Sequence, residues 1–253
     1  MRYYAWISML ALLFLSIWIP LETLSESGEG FPIDISILED PYDVLRLVNK
    51  DNQLDRTYPD QNISMYRLER VAVPVTKGSH QLRKVANLAL RELFEVAYEE
   101  GIELYVGSSY RAYRNQEVMH YNRVKRMGYD DGYTQMAGAS EHQTGLAVDV
   151  ISEAYADLFQ QSFGETQEGI WLREHCAEFG FIIRYPEDKE EITGIRYEPW
   201  HLRYVGREVA SYIMEKGLTL EEFSAERIIA LGTYYGEVAS IEMKNKRGGT
   251  YDE

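Results

Sequence analysis

The clearest hydrophobic pattern in the chain is helical and covers residues 81–100. Its apolar positions recur every three or four residues, which places them on one face of a helix. These positions are Leu82, Val85, Ala89, Leu93 and Val96. Ser79 is suited to begin this helix and Gly101 to end it. We therefore predict one amphipathic helix here, packed against a core.

Weaker versions of the same pattern predict further helices. Each is followed directly by a glycine, and they cover residues 114–127, 170–179 and 207–216. Thr219 and Glu222 form a capping-box pattern, which predicts one more helix. Beyond Gly232 the pattern is weak, and we expect the last residues, 244–253, to be frayed.

Short apolar runs between the helices predict strands. They cover residues 103–106, 146–151, 181–185, 195–197 and 202–205. Side chains in residues 146–151 alternate between two faces, with Asp149 in the middle. Because strands and helices are mixed without regular alternation, the predicted fold class is α+β. We expect a small, mostly antiparallel sheet flanked by helices.

The first residues combine a positive charge with a long apolar run. Met1 and Arg2 precede an uncharged stretch from residue 3 to residue 20. This pattern is typical of a secretory signal, and its length is close to that of a bilayer-spanning helix. No clear cleavage site precedes the acidic residues that follow. We interpret residues 1–22 as a membrane anchor, with a cleaved signal as the alternative. Either interpretation predicts an extracytoplasmic location.

Composition suggests how the remainder is divided. Residues 23–40 include a polar stretch rich in Gly, Ser and Glu, which is typical of a linker. Residues 41–220 contain the predicted strands and most of the helices, so we expect one domain there. Residues 221–253 are predicted to form a helical extension, to which we assign no function.

Charge and cysteine content exclude several classes. The chain has 253 residues and a formal net charge of −15, which argues against a nucleic-acid binder because such proteins carry a basic patch. Cys176 is the only cysteine, so an intramolecular disulfide and a cysteine-based zinc finger are excluded. Its place in a predicted helix favours a buried apolar role. Nothing in the sequence demands an oligomer, and a monomer is expected.

The segment with the most chemical content is residues 140–149. Asp149 lies inside an apolar strand, where a carboxylate is costly unless it is paired or coordinates a metal. His142 lies just upstream, beyond a Thr-Gly turn that can fold the chain back. The alternative is a capping histidine and a structural aspartate, and the pair alone does not exclude it.

A second pair follows downstream in Glu198 and His201. Pro199 lies between them and can re-aim side chains that a regular strand would separate. Two imidazoles, one carboxylate ligand and one spare carboxylate form the inventory of a catalytic zinc site with an open position. Glu198 is the acid closest to a proposed ligand, so it is our candidate for the base that activates water.

Three further residues are candidates for substrate binding. Arg111 follows a strand and a Gly-Ser-Ser bend, where its planar guanidinium could hold a substrate carboxylate. The alternative is a surface arginine. Gln116 could supply an amide contact, although a solvated helix position is the default. Ser140 could bind substrate or cap the turn, and the pattern does not separate these roles.

Taken together, these motifs resemble the VanY-type D-alanyl-D-alanine carboxypeptidases and the related LdcB-type LD-carboxypeptidases. The motifs are Ser108-Ser109-Tyr110-Arg111, Gln116, Ser140-x-His142-x-x-Gly145-x-Ala147-x-Asp149 and Glu198-Pro199-Trp200-His201 with the following Leu-Arg-Tyr-Val-Gly. The resemblance extends over roughly residues 47–220. Ser109 and Gln53 depart from it, since the family often has glycine and proline at these positions.

The resemblance implies a zinc peptidase with the fold shared by the Hedgehog N-terminal domain. It implies His142, Asp149 and His201 as zinc ligands and Glu198 as the catalytic base. It also implies that Arg111 binds or polarises the substrate, and that Ser140 and Gln116 line the pocket.

The hypothesis from the sequence is a zinc carboxypeptidase that removes the C-terminal D-alanine from peptidoglycan stem peptides. An LD-carboxypeptidase or a peptidoglycan endopeptidase is the first alternative, since these differ in pocket shape and not in zinc chemistry. A non-catalytic module that binds the cell wall is the second. Retention of Glu198 argues against it, because a binder has no need of a base.

Overall fold

The computed structural model describes residues 31–59, 63–68, 80–153 and 159–248. The chain forms two units, Met1–Asp34 and Ile35–Glu253, and all elements below belong to the second. The predicted anchor, residues 1–22, lies outside the described residues. In the part of the chain that is described, no helix has both the length and the apolar character needed to cross a membrane.

The elements follow one another in mixed order along the chain. The helices are α1 (Ile35–Leu38), α2 (Lys84–Glu99), α3 (Tyr113–Met127), α4 (Gln167–His175), α5 (Glu190–Thr193), α6 (Arg207–Lys216) and α7 (Leu220–Gly248). The strands are β1 (Met65–Arg67), β2 (Gln81–Arg83), β3 (Tyr105–Ser108), β4 (Ala147–Ile151), β5 (Phe181–Ile183) and β6 (His201–Tyr204). Single 3₁₀ turns cover Glu141–Thr144, Gln161–Glu165 and Cys176–Phe179.

The strands form two antiparallel sheets. The larger one has the order β3-β4-β6-β5, and β1 pairs with β2 in the smaller one. This arrangement confirms the predicted α+β class with a mostly antiparallel sheet. The central strand β4 is buried along its whole length, which explains its apolar sequence on both faces.

The two faces of β4 have different roles. Val148 and Val150 point into a core that also contains Leu90 and Leu93 of α2. Successive side chains of a strand point to opposite faces, so Asp149 lies on the other face. Burial of Leu90 and Leu93 in this core stabilises the fold by roughly 25 cal/mol per Å² of apolar surface.

Several sequence expectations needed correction. The strand expected over residues 195–197 does not form, because the chain there is a bend and an irregular segment that follows α5. The helix expected over residues 170–179 is α4 followed by a 3₁₀ turn. The helix that follows the capping box is α7, and it continues to Gly248 through the weakly patterned region after Gly232. Its apolar positions do not form one stripe, so helical spacing is a weak signal there.

Two glycines shape the loops next to the sheet. Gly145 has φ 69°, a conformation that favours glycine, and a side chain there would collide with Met65. It turns the chain from the 3₁₀ turn into β4. Gly107 lies where the β3–β4 register shifts, and a Cβ there would be 2.9 Å from the ring of Phe159. Such a bulge re-aims the residues that follow it.

Candidate metal centre and active site

The register of the large sheet brings two predicted ligands together. Asp149 of β4 lies directly opposite His201 of β6 in the antiparallel pair. Paired residues share a face of the sheet, so both side chains project to the same side. Their closest atoms are Asp149 Oδ1 and His201 Nδ1, 3.1 Å apart. A separation of 52 residues in sequence is thereby reduced to contact distance.

The third predicted ligand reaches this position from the 3₁₀ turn. His142 Nε2 lies 3.2 Å from Asp149 Oδ2. His142 Nδ1 lies 2.8 Å from the carbonyl oxygen of Ser109, which can only accept a hydrogen bond. Nδ1 therefore carries the proton, and Nε2 presents its lone pair to the cluster.

These three side chains meet the requirements of a zinc site. Their ligand atoms all lie within 4.8 Å of one another, and the three residues are buried. Asp149 Oδ1 is buried with no hydrogen-bond partner among the described residues, as is expected of an oxygen that coordinates a metal. Two imidazoles and one carboxylate form a donor set that zinc prefers, with a fourth position left open.

The charges in the cluster are strongly coupled. Burial opposes ionisation of Asp149, but His142 and His201 hold its pKa well below the ordinary value. Burial likewise disfavours a charged His201, yet its contacts with Asp149 and Glu141 raise its pKa to about 9. For His142, burial is the largest effect and lowers the pKa. The cluster is therefore a strong site for a positive charge.

Glu198 lies beside the cluster without replacing a ligand. Its Oε2 is 3.7 Å from His201 Nδ1, and 21% of its side chain remains exposed. Burial raises the pKa of Glu198 to about 7, although the nearby His201 opposes this. A carboxyl group with a pKa near neutrality can both accept and donate a proton at the operating pH.

Arg111 lies near Asp149 and Glu198, and hydrogen bonds to neighbouring residues hold its guanidinium in place. Its Nη1 donates to Gln116 Oε1 at 2.7 Å, and its Nη2 donates to Ser108 Oγ at 2.9 Å. Its backbone N–H donates to the carbonyl of His142 at 3.0 Å. Burial lowers the pKa of Arg111, while Asp149 and Glu198 oppose this effect. An arginine remains charged under such conditions.

Gln116 and Ser140 are both buried. Gln116 is only 1% exposed, so the expectation of a solvated helix position was wrong. Its side-chain amide donates to the carbonyl of Gln135 while its oxygen accepts from Arg111, so it ties the arginine to the following loop. Ser140 immediately precedes the 3₁₀ turn that presents His142, and its side chain makes no capping hydrogen bond.

Comparison with known proteins places this geometry in a family. The VanY profile, described as D-alanyl-D-alanine carboxypeptidase, matches residues 79–207. The Bacillus subtilis protein YodJ is 39% identical over 191 residues, which cover 75% of this chain and 70% of YodJ. This chain belongs to the VanY family. The resemblance inferred from the motifs is thus confirmed.

Solved structures with the same fold support the zinc chemistry of the family. The LdcB LD-carboxypeptidase has a TM-score of 0.66 and 38% identity, covering 73% of this chain and 86% of its own. A VanY D,D-pentapeptidase variant solved with Zn(II) has a TM-score of 0.58 and 34% identity, covering 71% and 98%. Together with the cluster of His142, Asp149 and His201, these findings confirm the prediction of a zinc metallo-carboxypeptidase.

Residues outside the predicted set also contribute to this VanY-family site. Glu141, Arg184 and Arg203 form a buried ionic cluster behind His201. Tyr185 packs its ring 5.0 Å from the ring of His201, and burial raises its pKa well above the ordinary value. The sequence contained one signal for this cluster, which is the position of its charged residues. Glu141 directly precedes His142, Arg184 directly follows β5, and Arg203 lies within β6. Such residues more often face solvent, so the signal was not decisive.

Two further side chains are buried. Trp200 packs against Phe159, with the ring centroids 5.9 Å apart. Cys176 is fully buried, and burial raises the pKa of its thiol to about 12. The expected apolar role of Cys176 is therefore confirmed.

Proposed function

We propose that this chain removes the C-terminal D-alanine from peptidoglycan stem peptides by zinc-dependent hydrolysis, with Glu198 as the base. The observation that carries the proposal is the position of Glu198. Its carboxyl group has a pKa raised to about 7 and lies 3.7 Å from His201, outside the cluster of three buried residues that would hold the zinc ion. A protein that only binds the cell wall would need no such group.

His142, Asp149 and His201 would hold the zinc ion. Bound zinc supplies a Lewis acid that acidifies water and polarises a carbonyl group. We call these three residues the floor of the site. The floor is largely shielded from solvent, since each residue is at most 6% exposed. Low exposure strengthens the electrostatic interactions that act on the reacting atoms.

Glu198 is suited to move the proton in this reaction. Its carboxylate takes a proton from the attacking water and delivers it to the amine of the departing D-alanine. Its side chain is 21% exposed, so it remains accessible to the attacking water and to the departing amine. Burial keeps its pKa close to neutrality, so the same group can serve in both steps.

Arg111 is suited to recognise the C-terminal carboxylate of the substrate. A guanidinium group has five N–H donors, and bonds to Gln116 and Ser108 use two of them in the described structure. The remaining donors can pair with a carboxylate. Gln116 accepts a hydrogen bond from the guanidinium, which supports a role in holding it in place. Ser140 is buried two residues before His142, and we propose that it lines the substrate pocket.

The chemistry of the substrate agrees with the proposed organisation of the chain. Stem peptides lie outside the cytoplasmic membrane, where an anchor or signal in residues 1–22 would direct the protein. Residues 23–40 would link this segment to a catalytic domain of residues 41–220, with residues 221–253 as an extension. The strongly acidic chain is proposed to act on this peptide as a monomer without nucleic-acid partners.

Product analysis with a metal assay tests the proposal. The full chain is incubated with synthetic stem pentapeptide, with and without a chelator, and the products are identified by mass. We expect loss of one alanine from the pentapeptide, abolished by the chelator and by Glu198→Gln. Stoichiometric zinc without cleavage of any stem peptide would overturn the enzymatic proposal and favour a binding module.

A second candidate is LD-carboxypeptidase activity, which removes the last residue of the tetrapeptide. The observation that favours it is the higher TM-score with LdcB than with the VanY variant, 0.66 against 0.58. The two activities require the same metal ligands and differ in the shape of the substrate pocket. Parallel incubations with tetrapeptide and pentapeptide distinguish them, because only one substrate is shortened at an appreciable rate in each case.

A further inference from the structure

Glu141 is the most deeply buried carboxylate near the site, and it is not a ligand. Its side chain has no exposed surface. Its Oε1 accepts from Arg184 Nε and from Arg203 Nη1, each at 2.7 Å. Both arginines are fully buried. A buried carboxylate is very costly without partners, so the two arginines are needed to offset the cost of burying the charge of Glu141.

The second oxygen of Glu141 faces the ligand His201. Glu141 Oε2 and His201 Nε2 are 3.6 Å apart. Both atoms are buried, and neither has a hydrogen-bond partner among the described residues. Buried polar atoms of this kind are rare, since each one costs about 1–3 kcal/mol when it is left unsatisfied. Two such atoms that face each other form a natural donor and acceptor pair.

The tautomer of His201 decides which atom is the donor. His201 Nδ1 points at Asp149, so this nitrogen is the one available to a metal. A neutral imidazole has one N–H group, and a metal ligand must present a lone pair. The proton therefore belongs on Nε2, directed at the Glu141 carboxylate. The separation exceeds a typical N–H···O bond by only about 0.6 Å, which a small ring rotation removes.

The other histidine has the same arrangement with a different partner. His142 Nδ1 is directed at the carbonyl of Ser109, while Nε2 faces Asp149. Each imidazole therefore has one nitrogen toward the metal position and one toward an acceptor. Such outer acceptors fix the tautomer and ring orientation of metal ligands.

Arg184 connects this acceptor to the start of α7. Its Nη1 and Nη2 donate to the two oxygens of Glu221, at 2.9 and 2.7 Å. Arg203 connects Glu141 to the segment after α1, because Arg203 Nη2 donates to the carbonyls of Val44 and Arg46. The carboxylate of Glu141 is thus held from two sides, which gives it little freedom to move away from His201.

We propose that Glu141 is a positioning residue that orients His201 and fixes its Nε2–H tautomer, with Arg184 and Arg203 holding Glu141 in place. The inference rests on the proposed function in that His201 is taken as a zinc ligand. It goes further because it assigns a role in metal affinity to a residue outside the ligand set.

Glu141→Gln tests the proposal sharply. The two arginines require an acceptor at the position of Oε1, so the amide nitrogen of glutamine must face His201. A donor would then oppose a donor, and His201 would be driven to the tautomer that cannot bind metal through Nδ1. We expect zinc affinity, measured by competition with a chromophoric chelator, to weaken by about 10- to 100-fold.

Glu221→Gln is the matched control. It also replaces a buried carboxylate that pairs with Arg184, but no ion pair among the described residues joins Glu221 to His201. We expect both variants to lose similar thermal stability, while the zinc affinity of Glu221→Gln stays within about threefold of wild type. Unchanged affinity in Glu141→Gln, or equal losses in both variants, would overturn the inference.

A measurement on the wild-type protein decides the case if Glu141→Gln does not fold. In the zinc-loaded protein labelled with ¹⁵N-histidine, NMR should show His201 Nε2 as the protonated nitrogen, with a proton that exchanges slowly with water. An unprotonated Nε2 would overturn the inference. Failure of the wild-type chain to bind zinc at all would instead defeat the proposed function, so the two failures are distinguishable.

Discussion

The floor and the rim of the site are built in different ways. The floor consists of His142, Asp149 and His201, and two of these are paired directly across neighbouring strands. The rim consists of Arg111 and Glu198, which lie in loops just outside β3 and β6. Sheet register places Asp149 and His201, and a short 3₁₀ turn places His142, whereas loop conformation and side-chain hydrogen bonds place the rim. Metal binding and turnover should therefore be separable by mutation.

The largest effect is expected from the floor. His201→Ala removes a proposed ligand from β6, directly opposite Asp149 of β4. We expect loss of stoichiometric zinc and a fall in activity of more than about 10³-fold, since a catalytic metal supplies several kcal/mol. Metal analysis and peptide hydrolysis measure the two quantities. Retention of both zinc and activity would show that His201 is not a zinc ligand.

The second largest effect is expected for Glu198→Gln, which should change turnover without changing zinc binding. Glu198→Gln keeps the shape of the side chain but removes the proposed base. We expect zinc content to remain at wild-type level while kcat falls by about 10²- to 10⁴-fold. Steady-state kinetics and metal analysis on the same sample test this. Near-normal turnover in Glu198→Gln would show that the base is another group.

A smaller effect is expected for Arg111→Ala. Loss of a hydrogen bond from a charged group costs about 1.5–3 kcal/mol, which corresponds to a rise in KM of about 10- to 100-fold. Arg123→Ala is a matched control, because Arg123 pairs with Asp131 away from the ligands. A substrate with an amidated C-terminus provides the second control.

The amidated substrate sharpens the assignment of Arg111. If this residue recognises the terminal carboxylate, wild type and Arg111→Ala should process the amide at nearly equal rates. A large difference with the amide would assign Arg111 to another part of the substrate or to the reacting carbonyl.

The smallest effect is expected for Gln116→Ala, which acts through Arg111. Loss of a single hydrogen bond that orients the guanidinium costs about 0.5–1.5 kcal/mol, so KM should rise by about 2- to 10-fold. In the double variant with Arg111→Ala, the Gln116 substitution should add almost nothing. Full additivity would show that Gln116 contacts the substrate independently.

Local patterns predicted much of the scaffold correctly. The amphipathic stripe predicted the helix now seen as α2, and glycines marked the ends of α3 and α6. The capping box of Thr219 and Glu222 is present, with Glu222 N–H donating to Thr219 Oγ1 at 3.1 Å. These features depend on residues close in sequence, so they can be inferred without tertiary contacts.

Predictions failed where tertiary contacts override local preference. Gln116 lies on a polar helix whose pattern favours solvent, yet Arg111 and Gln135 bury it. The expected strand near residue 196 is absent, because the chain there leads from α5 to Glu198 rather than joining the sheet. Short apolar runs carry too little information to distinguish a strand from a connecting segment.

By itself, the sequence determined the types of the candidate ligands, their order along the chain and the family to which those motifs belong. Chemical identity is local, and a His, an Asp and a Glu keep their chemistry in any fold. Only the tertiary structure decided that Asp149 lies opposite His201, and that Glu141 faces His201 from behind with two buried arginines. Such pairings depend on strand register and on burial, which arise when distant segments pack together.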